Sequence, residues 1–275
     1  MKQILFVACI TMLLSSCNKI YYQVYDTKNN GMIEKESSLV YENEDCEISY
    51  NLWGEKGNFG FIFYNKTESD IFIILPQTFY IKNGVAYDYF KNREFGETKI
   101  STLAEESTTQ MSLYGSVYSW GKWYDASITT SANKNKTRGT SLTLSRKEMA
   151  IVCIPAHSRK VIKEYTISNK IIKSCNEKQD YPQKKSIAAI YTKDDTPLLF
   201  KNRIAYTFSK DGNNLKYIEN EFWISGVTNY SLKSAVDKKE YKECDYDKTK
   251  IIRIFNMASP SKFYNSYQGL KEDYK

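Results

Sequence analysis

A chain of 275 residues can bury a full hydrophobic core, as one large domain or two small ones. Its formal charge of +7 rests on 39 basic residues, only six of them arginine, with the lysines interspersed among acids as in KKEYKECDYDKTK. Nucleic-acid readers depend on arginine clusters, so this balance describes a solvated surface with no nucleic-acid partner and leaves open a weaker attraction to anionic lipid headgroups.

The chain opens MKQILFVACITMLLSSCNKIYYQ. Lys2 supplies a positive start, and Ile4 to Leu14 is an apolar stretch of eleven residues. Spanning a bilayer takes about 20, so the stretch fits the core of a secretory signal. It ends Leu14-Ser15-Ser16-Cys17, which resembles the lipobox of bacterial lipoproteins. That resemblance implies a diacylglyceryl group on the Cys17 thiol, cleavage just before Cys17, and acylation of the new amino group. A plain secretory signal with a chance cysteine is the alternative. Two or three acyl chains would anchor the protein durably, at about 0.8 kcal/mol per buried methylene. The expected organisation is a signal peptide over 1–16, a lipidated N-terminus and tether over 17–30, and a β body over 31–275, as one unit or two Ig-like halves.

Short strand signals then recur between turns. CEISYNLW alternates, with Cys46, Ile48, Tyr50 and Leu52 on one face. GNFGFIFYN and DIFIILP read as runs buried on both faces, separated by the turn-rich KTES. In FYIKNGVAYDYF, Asn83-Gly84 sits between two alternating runs, the pattern of a type I′ hairpin that places Tyr80 opposite Tyr87 and Lys82 opposite Val85. Residues 97–147 read as a mobile Ser/Thr/Lys-rich insertion, with loop-like flanks and a strand or hairpin in MSLYGSVYSWGKWYDAS. EMAIVCIP, KVIKEYTI, NRIAYTFS, LKYIENEFWISGV and KIIRIFN continue the strand series. SLKSAVDKKEYKE places Leu232, Ala235, Val236 and Tyr241 near one face of a helix of about three turns. SKFYNSYQG is expected to form another short helix. Many short strands with turn punctuation predict an all-β fold, an antiparallel Ig-like β-sandwich with a few short helices.

Cys9 leaves with the signal, and Cys46, Cys153, Cys175 and Cys244 remain in the body. An exported chain can keep disulfides, and four cysteines allow three connectivities. Cys46 and Cys153 lie in strand-like segments and read as small buried hydrophobes. Cys175 and Cys244 lie in polar loops and are the expected pair if one bridge forms. No cysteine or histidine spacing points to a metal, and no glycine-rich phosphate loop is present, so no cofactor is expected.

His157 is the single histidine, and any Ser/His/Asp or Cys/His machinery would need it as base. It sits in PAHSR, where an exposed turn residue is the expected role. The acids of YENED (41–45) lack the fixed ligand spacing of a calcium loop and read as a solvated turn. SWGKWYD offers Trp120, Trp123 and Tyr124 as a sugar-stacking surface or protein-binding patch, weighed against a packed aromatic cluster with at least one tryptophan buried.

SLVYENEDCEISYNLW, GFIFYNKTESDIFI, FYIKNGVAYDYF, IPAHSRKVIKEY, FKNRIAY and NEFWISGVTNY resemble a large set of uncharacterised lipoproteins of gut Bacteroides-type bacteria. The resemblance covers most of 17–275 and fits 97–147 least well. It brings no activity and no catalytic residues. In that family, surface-exposed members tend to carry acids just after the lipidated cysteine. Here Asn18-Lys19-Ile20-Tyr21-Tyr22-Gln23 follows and the first acid is Asp26, which implies an outer-membrane lipoprotein facing the periplasm. The sequence therefore predicts a non-enzymatic lipoprotein, anchored in the membrane through the Cys17 lipid, that binds an unidentified protein or envelope partner or plays a structural role. A carbohydrate-binding accessory of glycan uptake is the first alternative, and a glycan- or peptide-processing hydrolase the second.

Overall fold

Strands dominate the computed structural model, which describes residues 19–101, 109–119, 122–132, 140–241 and 250–269. In chain order they are β1 (Ile20–Asn29), β2 (Ile33–Lys35), β3 (Ser38–Glu42), β4 (Cys46–Tyr50), β5 (Phe61–Asn65), β6 (Ile71–Ile74), β7 (Phe79–Lys82), β8 (Val85–Asp88), β9 (Glu94–Ser101) and β10 (Thr109–Ser119). The second half holds β11 (Lys122–Ala132), β12 (Thr140–Lys147), β13 (Ile151–Ile154), β14 (Arg159–Ile162), β15 (Lys185–Ile190), β16 (Leu199–Thr207), β17 (Lys216–Ser231), β18 (Val236–Tyr241), β19 (Lys250–Phe255) and β20 (Lys262–Gln268). Among the described residues, helix is confined to single turns at Leu75–Gln77, Glu177–Asp180 and Leu232–Ala235.

The strands pair antiparallel into an all-β architecture. The larger sheet runs β13-β6-β16-β17-β1-β20, with β15 also on β17 and the β7–β8 hairpin on β16. A five-stranded sheet runs β14-β5-β4-β3-β2, and β10–β11, β9–β12 and β18–β19 form two-stranded ribbons. The two large sheets share one core. Tyr50 of β4 meets Phe222 of β17 at 5.2 Å between ring centroids, Phe59 meets Phe200 at 5.0 Å, and Phe63 of β5 meets Tyr206 of β16 at 5.8 Å. Large rings carry most of the apolar area in such a core.

Local patterning explains much of this. Cys46, Ile48 and Tyr50 alternate inward on β4, while Phe61, Ile62 and Phe63 are all buried on β5. The KTES turn carries the chain from one sheet to the other. Asn65, fully buried, organises it: its side-chain Nδ2 donates to the Ser69 and Ile154 carbonyls at 2.7 and 3.0 Å, and its Oδ1 accepts the Thr67 N–H at 2.9 Å. The β7–β8 hairpin has the predicted register, Tyr80 opposite Tyr87 and Lys82 opposite Val85, with φ of 46° at Asn83 and 83° at Gly84.

Four expectations are corrected. Most of the tether expected over 17–30 is β1, paired on both sides, with Val24 and Tyr25 buried. The expected three-turn helix is one turn at Leu232–Ala235 followed by β18, because Val236–Tyr241 pairs along its length with β19. The expected C-terminal helix is β20, where alternation sends Phe263 and Asn265 into the core beside β1. In the 97–147 region the central hairpin is present as β10–β11, but the flanks read as loops are partly strand and pair as β9–β12.

Gly84 and Gly57 both hold left-handed φ, yet only Gly57 is crowded. A Cβ at Gly84 would meet nothing within 4 Å, whereas one at Gly57 would lie 2.6 Å from Ile167 Cδ1. Gly84→Ala should cost about 1 kcal/mol, from backbone strain alone. Gly57→Ala should cost clearly more, and urea titrations giving the two variants equal losses would contradict the packing at Ile167.

Candidate binding groove

The chain leaves β8 through Tyr89-Phe90-Lys91-Asn92-Arg93. Tyr89 turns inward, 2% exposed, and its hydroxyl donates to Asn202 Oδ1 at 2.8 Å. That inward anchor leaves Phe90 half-buried at the surface, beside Tyr87, which is 43% exposed. Tyr165, from the segment after β14, packs edge-on against Tyr89 at 5.1 Å and donates from its hydroxyl to the Asp88 carbonyl. Together these residues line an open groove of about 560 Å³, with Ala86, Tyr87, Phe90 and Tyr165 as its apolar surface and Asp88, Lys91 and Asn92 at its polar positions.

A charge cluster braces one side. Lys91 Nζ is 2.7 Å from Glu164 and 4.9 Å from the centre of the Tyr165 ring. Arg93 grips Glu164 with two nitrogens at 2.9 Å each and reaches Glu148 at 2.6 Å. The second Glu148 oxygen accepts the backbone N–H groups of Lys91 and Arg93 at 2.9 and 3.1 Å. Arg93 immediately precedes β9 and Glu148 immediately follows β12, so the cluster closes the base of the 97–147 insertion next to the groove. The Arg93 guanidinium holds the Glu148 carboxyl below the ordinary carboxylate range, and hydrogen bonding to Glu164 holds the Lys91 ammonium above its own.

The chemistry of this arrangement lies in what its lining exposes. Stacking rings, a fixed cation and an amide side chain face one opening, and both glutamates beside it are occupied by Arg93. His157 lies elsewhere, exposed at the β13–β14 turn with φ of 51° and Nε2 3.0 Å from Glu68, as its turn sequence predicts. In the 41–45 turn, Glu42 pairs with Lys35 and Lys66 at 3.3 and 2.7 Å, and Asp45 with Lys216 at 2.6 Å. Among the described residues no group of three His, Cys, Asp or Glu side chains is placed to hold a metal ion.

Of the residues singled out in the sequence, Cys17, Trp120 and Cys244 lie outside the described residues. Trp123 and Tyr124 belong to β11, in register with Tyr118 and Val117 of β10. Cys175 is exposed in a turn with φ of 62°, and Cys46, Cys153 and Cys175 form no disulfide with one another. Cys46 is a buried core residue whose thiol is pushed up to about 12 by that burial. Cys153 is a correction: β13 alternates Ile151 and Cys153 outward, leaving its thiol exposed 3.7 Å from Asp70. The groove was not legible, because Tyr165 and Glu164 meet Tyr89 and Arg93 only through tertiary packing. Tyr87 alone carried a local signal, through the hairpin.

Comparison of the chain with protein-family models, with curated proteins and with solved structures finds no match. Among the described residues no helix is long and apolar enough to cross a membrane.

Glu148→Gln keeps an acceptor for the two N–H groups and removes the charge that Arg93 holds. The Glu148 side chain is 8% exposed and that of Arg93 38%, so solvent screens the pair only in part. The loss at pH 7 should be roughly 1–3 kcal/mol, toward the lower end because of that screening. Because the Glu148 pKa is lowered on folding, its stabilisation is present above the ordinary carboxylate value and disappears as pH falls through the folded one. Urea titrations of wild type and variant should therefore converge on acidification, and a constant gap down to pH 3 would refute the clamp.

Proposed function

We propose that this chain is a lipid-anchored protein of the bacterial cell envelope, held through Cys17 in the outer membrane and facing the periplasm, with a non-catalytic binding role. The observation that carries the binding reading is the groove at the β7–β8 hairpin: exposed and half-exposed rings beside polar side chains, on a base locked by Arg93. Sites of this kind join apolar surface to a few fixed polar groups that set orientation. The two-sheet body supports an Ig-like sandwich as the finer fold, and the likeness to Bacteroides-type lipoproteins supports the address.

One observation favours the glycan-binding alternative in particular. Tyr87 presents its ring beside Asp88 and Asn92, the combination of stacking face and hydrogen-bonding groups that a sugar ring requires. A hydrolase would need two carboxylates free to face each other across the ligand. Glu148 and Glu164 are both engaged by Arg93 instead, which weighs against that reading.

Two measurements test the proposal. Cys17→Ala should move the protein from the membrane pellet to the soluble fraction, and unchanged retention would remove the anchor from the reading. Titration calorimetry of the purified protein with soluble oligosaccharides and envelope fragments should find a ligand whose affinity falls at least tenfold in Tyr87→Ala. The same change should cost only about 1 kcal/mol of stability, since the ring is half exposed and packs on Tyr80 and Tyr165. Binding indifferent to Tyr87 would place the ligand elsewhere.

A further inference from the structure

The distance between the anchor and the fold is short. The Lys19 carbonyl already accepts the Gly269 N–H at 3.0 Å, and β1 begins at Ile20, opposite Gln268. An extended chain advances at most about 3.6 Å per residue, so Ile20 lies within about 11 Å of Cys17 whatever path the intervening residues take. A body attached so closely cannot stand off from the membrane, and the end of the sheet where β1 starts must come to rest near the headgroups.

The composition of that end fits the position. Tyr21 is opposite Ser231, so the Leu232–Ala235 turn lies beside the start of β1. The Ser231 N–H donates to the Lys184 carbonyl at 2.8 Å, and Lys185 is opposite Tyr230, which adds the start of β15 to the same end. Ile20 and Leu232 are exposed at 42% and 38%, and Lys19, Lys184, Lys185 and Lys233 are all exposed. None of these four lysines forms an ion pair with an acid among the described residues, unlike Lys66, Lys91, Lys201 or Lys216. Nearby, Asp180 is buried and accepts from Ser174 at 2.8 Å, while Glu177 is exposed with Lys178 next to it.

We infer that this end of the larger sheet, with Lys19, Lys184, Lys185 and Lys233 around Ile20 and Leu232, is a membrane-apposed face whose ammonium groups engage the phosphates of lipid headgroups. The inference rests on acylation of Cys17 and adds to it a fixed orientation of the body. Near a charged bilayer each lysine is attracted within a Debye length, and exposed apolar side chains enter the interface. The β16–β17 turn, with Lys210, then points away from the membrane: the 16 residues of β17 run from Lys216 to Ser231, about 50 Å of strand.

Amine-reactive labelling read by mass spectrometry tests this without altering the face. The acylated full-length protein would be placed on the outside of vesicles of phosphatidylglycerol and phosphatidylcholine, with the soluble Cys17→Ala chain as reference. Labelling of Lys19, Lys184, Lys185 and Lys233 should fall at least fivefold on the vesicles, with Lys210 unchanged. Equal labelling of all five on an acylated protein would overturn the orientation while leaving the anchor intact. An N-terminal peptide without acyl chains would remove the anchor reading and this inference with it. Protection that is the same on vesicles of phosphatidylcholine alone would overturn the part played by headgroup charge, since added anionic lipid should deepen it.

Discussion

The hydroxyl of Tyr50 is the point on which the packing of the two large sheets depends. It is fully buried on β4, donates to Asn220 Oδ1 at 3.0 Å and accepts from Asn202 Nδ2 at 3.4 Å. Asn202 and Asn220 face each other across β16 and β17, so these bonds cross from one sheet to the other through the core. Tyr89 extends the chain by donating to Asn202 Oδ1. Burial raises the pKa of both tyrosines, which keeps them neutral donors. A buried polar group without a partner, as Asn220 Nδ2 already is, costs about 1–3 kcal/mol, and a one-residue slip would send side chains to the opposite face and break the bonds to Tyr50 and Tyr89 as well. The groove inherits that constraint. Tyr89 places Phe90 at the surface and supports Tyr165, so the lining of the groove is fixed from inside the core.

A second buried polar row runs across the β17-β1-β20 side of the larger sheet. Gln23 of β1 lies opposite Asn229 of β17 on one side and Asn265 of β20 on the other, and all three are buried. They hold an irregular stretch of chain over the sheet. Gln23 exchanges bonds with Ile172, its Nε2 donating to the carbonyl at 2.8 Å and its Oε1 accepting the N–H at 2.7 Å. Asn265 donates to the Lys170 carbonyl at 3.1 Å and Asn229 to that of Gln179 at 2.9 Å. Covering a sheet with non-repetitive backbone would otherwise leave carbonyls and N–H groups without partners, and amide side chains in a row across three strands supply them. Tyr25, stacked on Phe263 at 4.5 Å, closes the edge of this row, and burial pushes its hydroxyl up to about 12.

What could be read from the sequence was what short-range rules govern. Asn83-Gly84 fixed a turn type and through it a register, and the alternation of CEISYNLW fixed which side of β4 faces the core. The failures share one cause. KFYNSYQ alternates as a strand does, yet its asparagine at a core position reads as polar surface unless Gln23 and Tyr25 are known to lie beside it. VDKKEY has too few apolar residues to announce a strand, and its pairing with β19 decides its form. IYYQVYD mixes apolar and polar residues on both of its alternating faces, Tyr21, Gln23 and Tyr25 against Tyr22, Val24 and Asp26, so its strand form rests on pairing with β17 and β20. Charged residues at Arg93, Glu148 and Glu164 gave no sign of a cluster, because sequence separations of 55 and 71 residues carry no local pattern.

The position of β1 also sets the order in which the fold can be completed. Its two neighbours are β17 and β20, so the first strand of the body pairs with strands that end at Ser231 and Gln268. The buried row of Gln23, Asn229 and Asn265 cannot form until both are available, and neither can the cover over 170–179 that depends on it. The five-stranded sheet, by contrast, is assembled from β2 to β5 through neighbours in sequence, with β14 added later. Non-local pairing must meet its loop-closure cost before any contact repays it, and topologies dominated by it fold slowly. The chain is thus divided into a sheet that local pairing can begin and a sheet whose β17-β1-β20 side waits for the C-terminal strand. The Tyr50 hydroxyl, bonded to Asn202 and Asn220, is where the first of these is registered against the second.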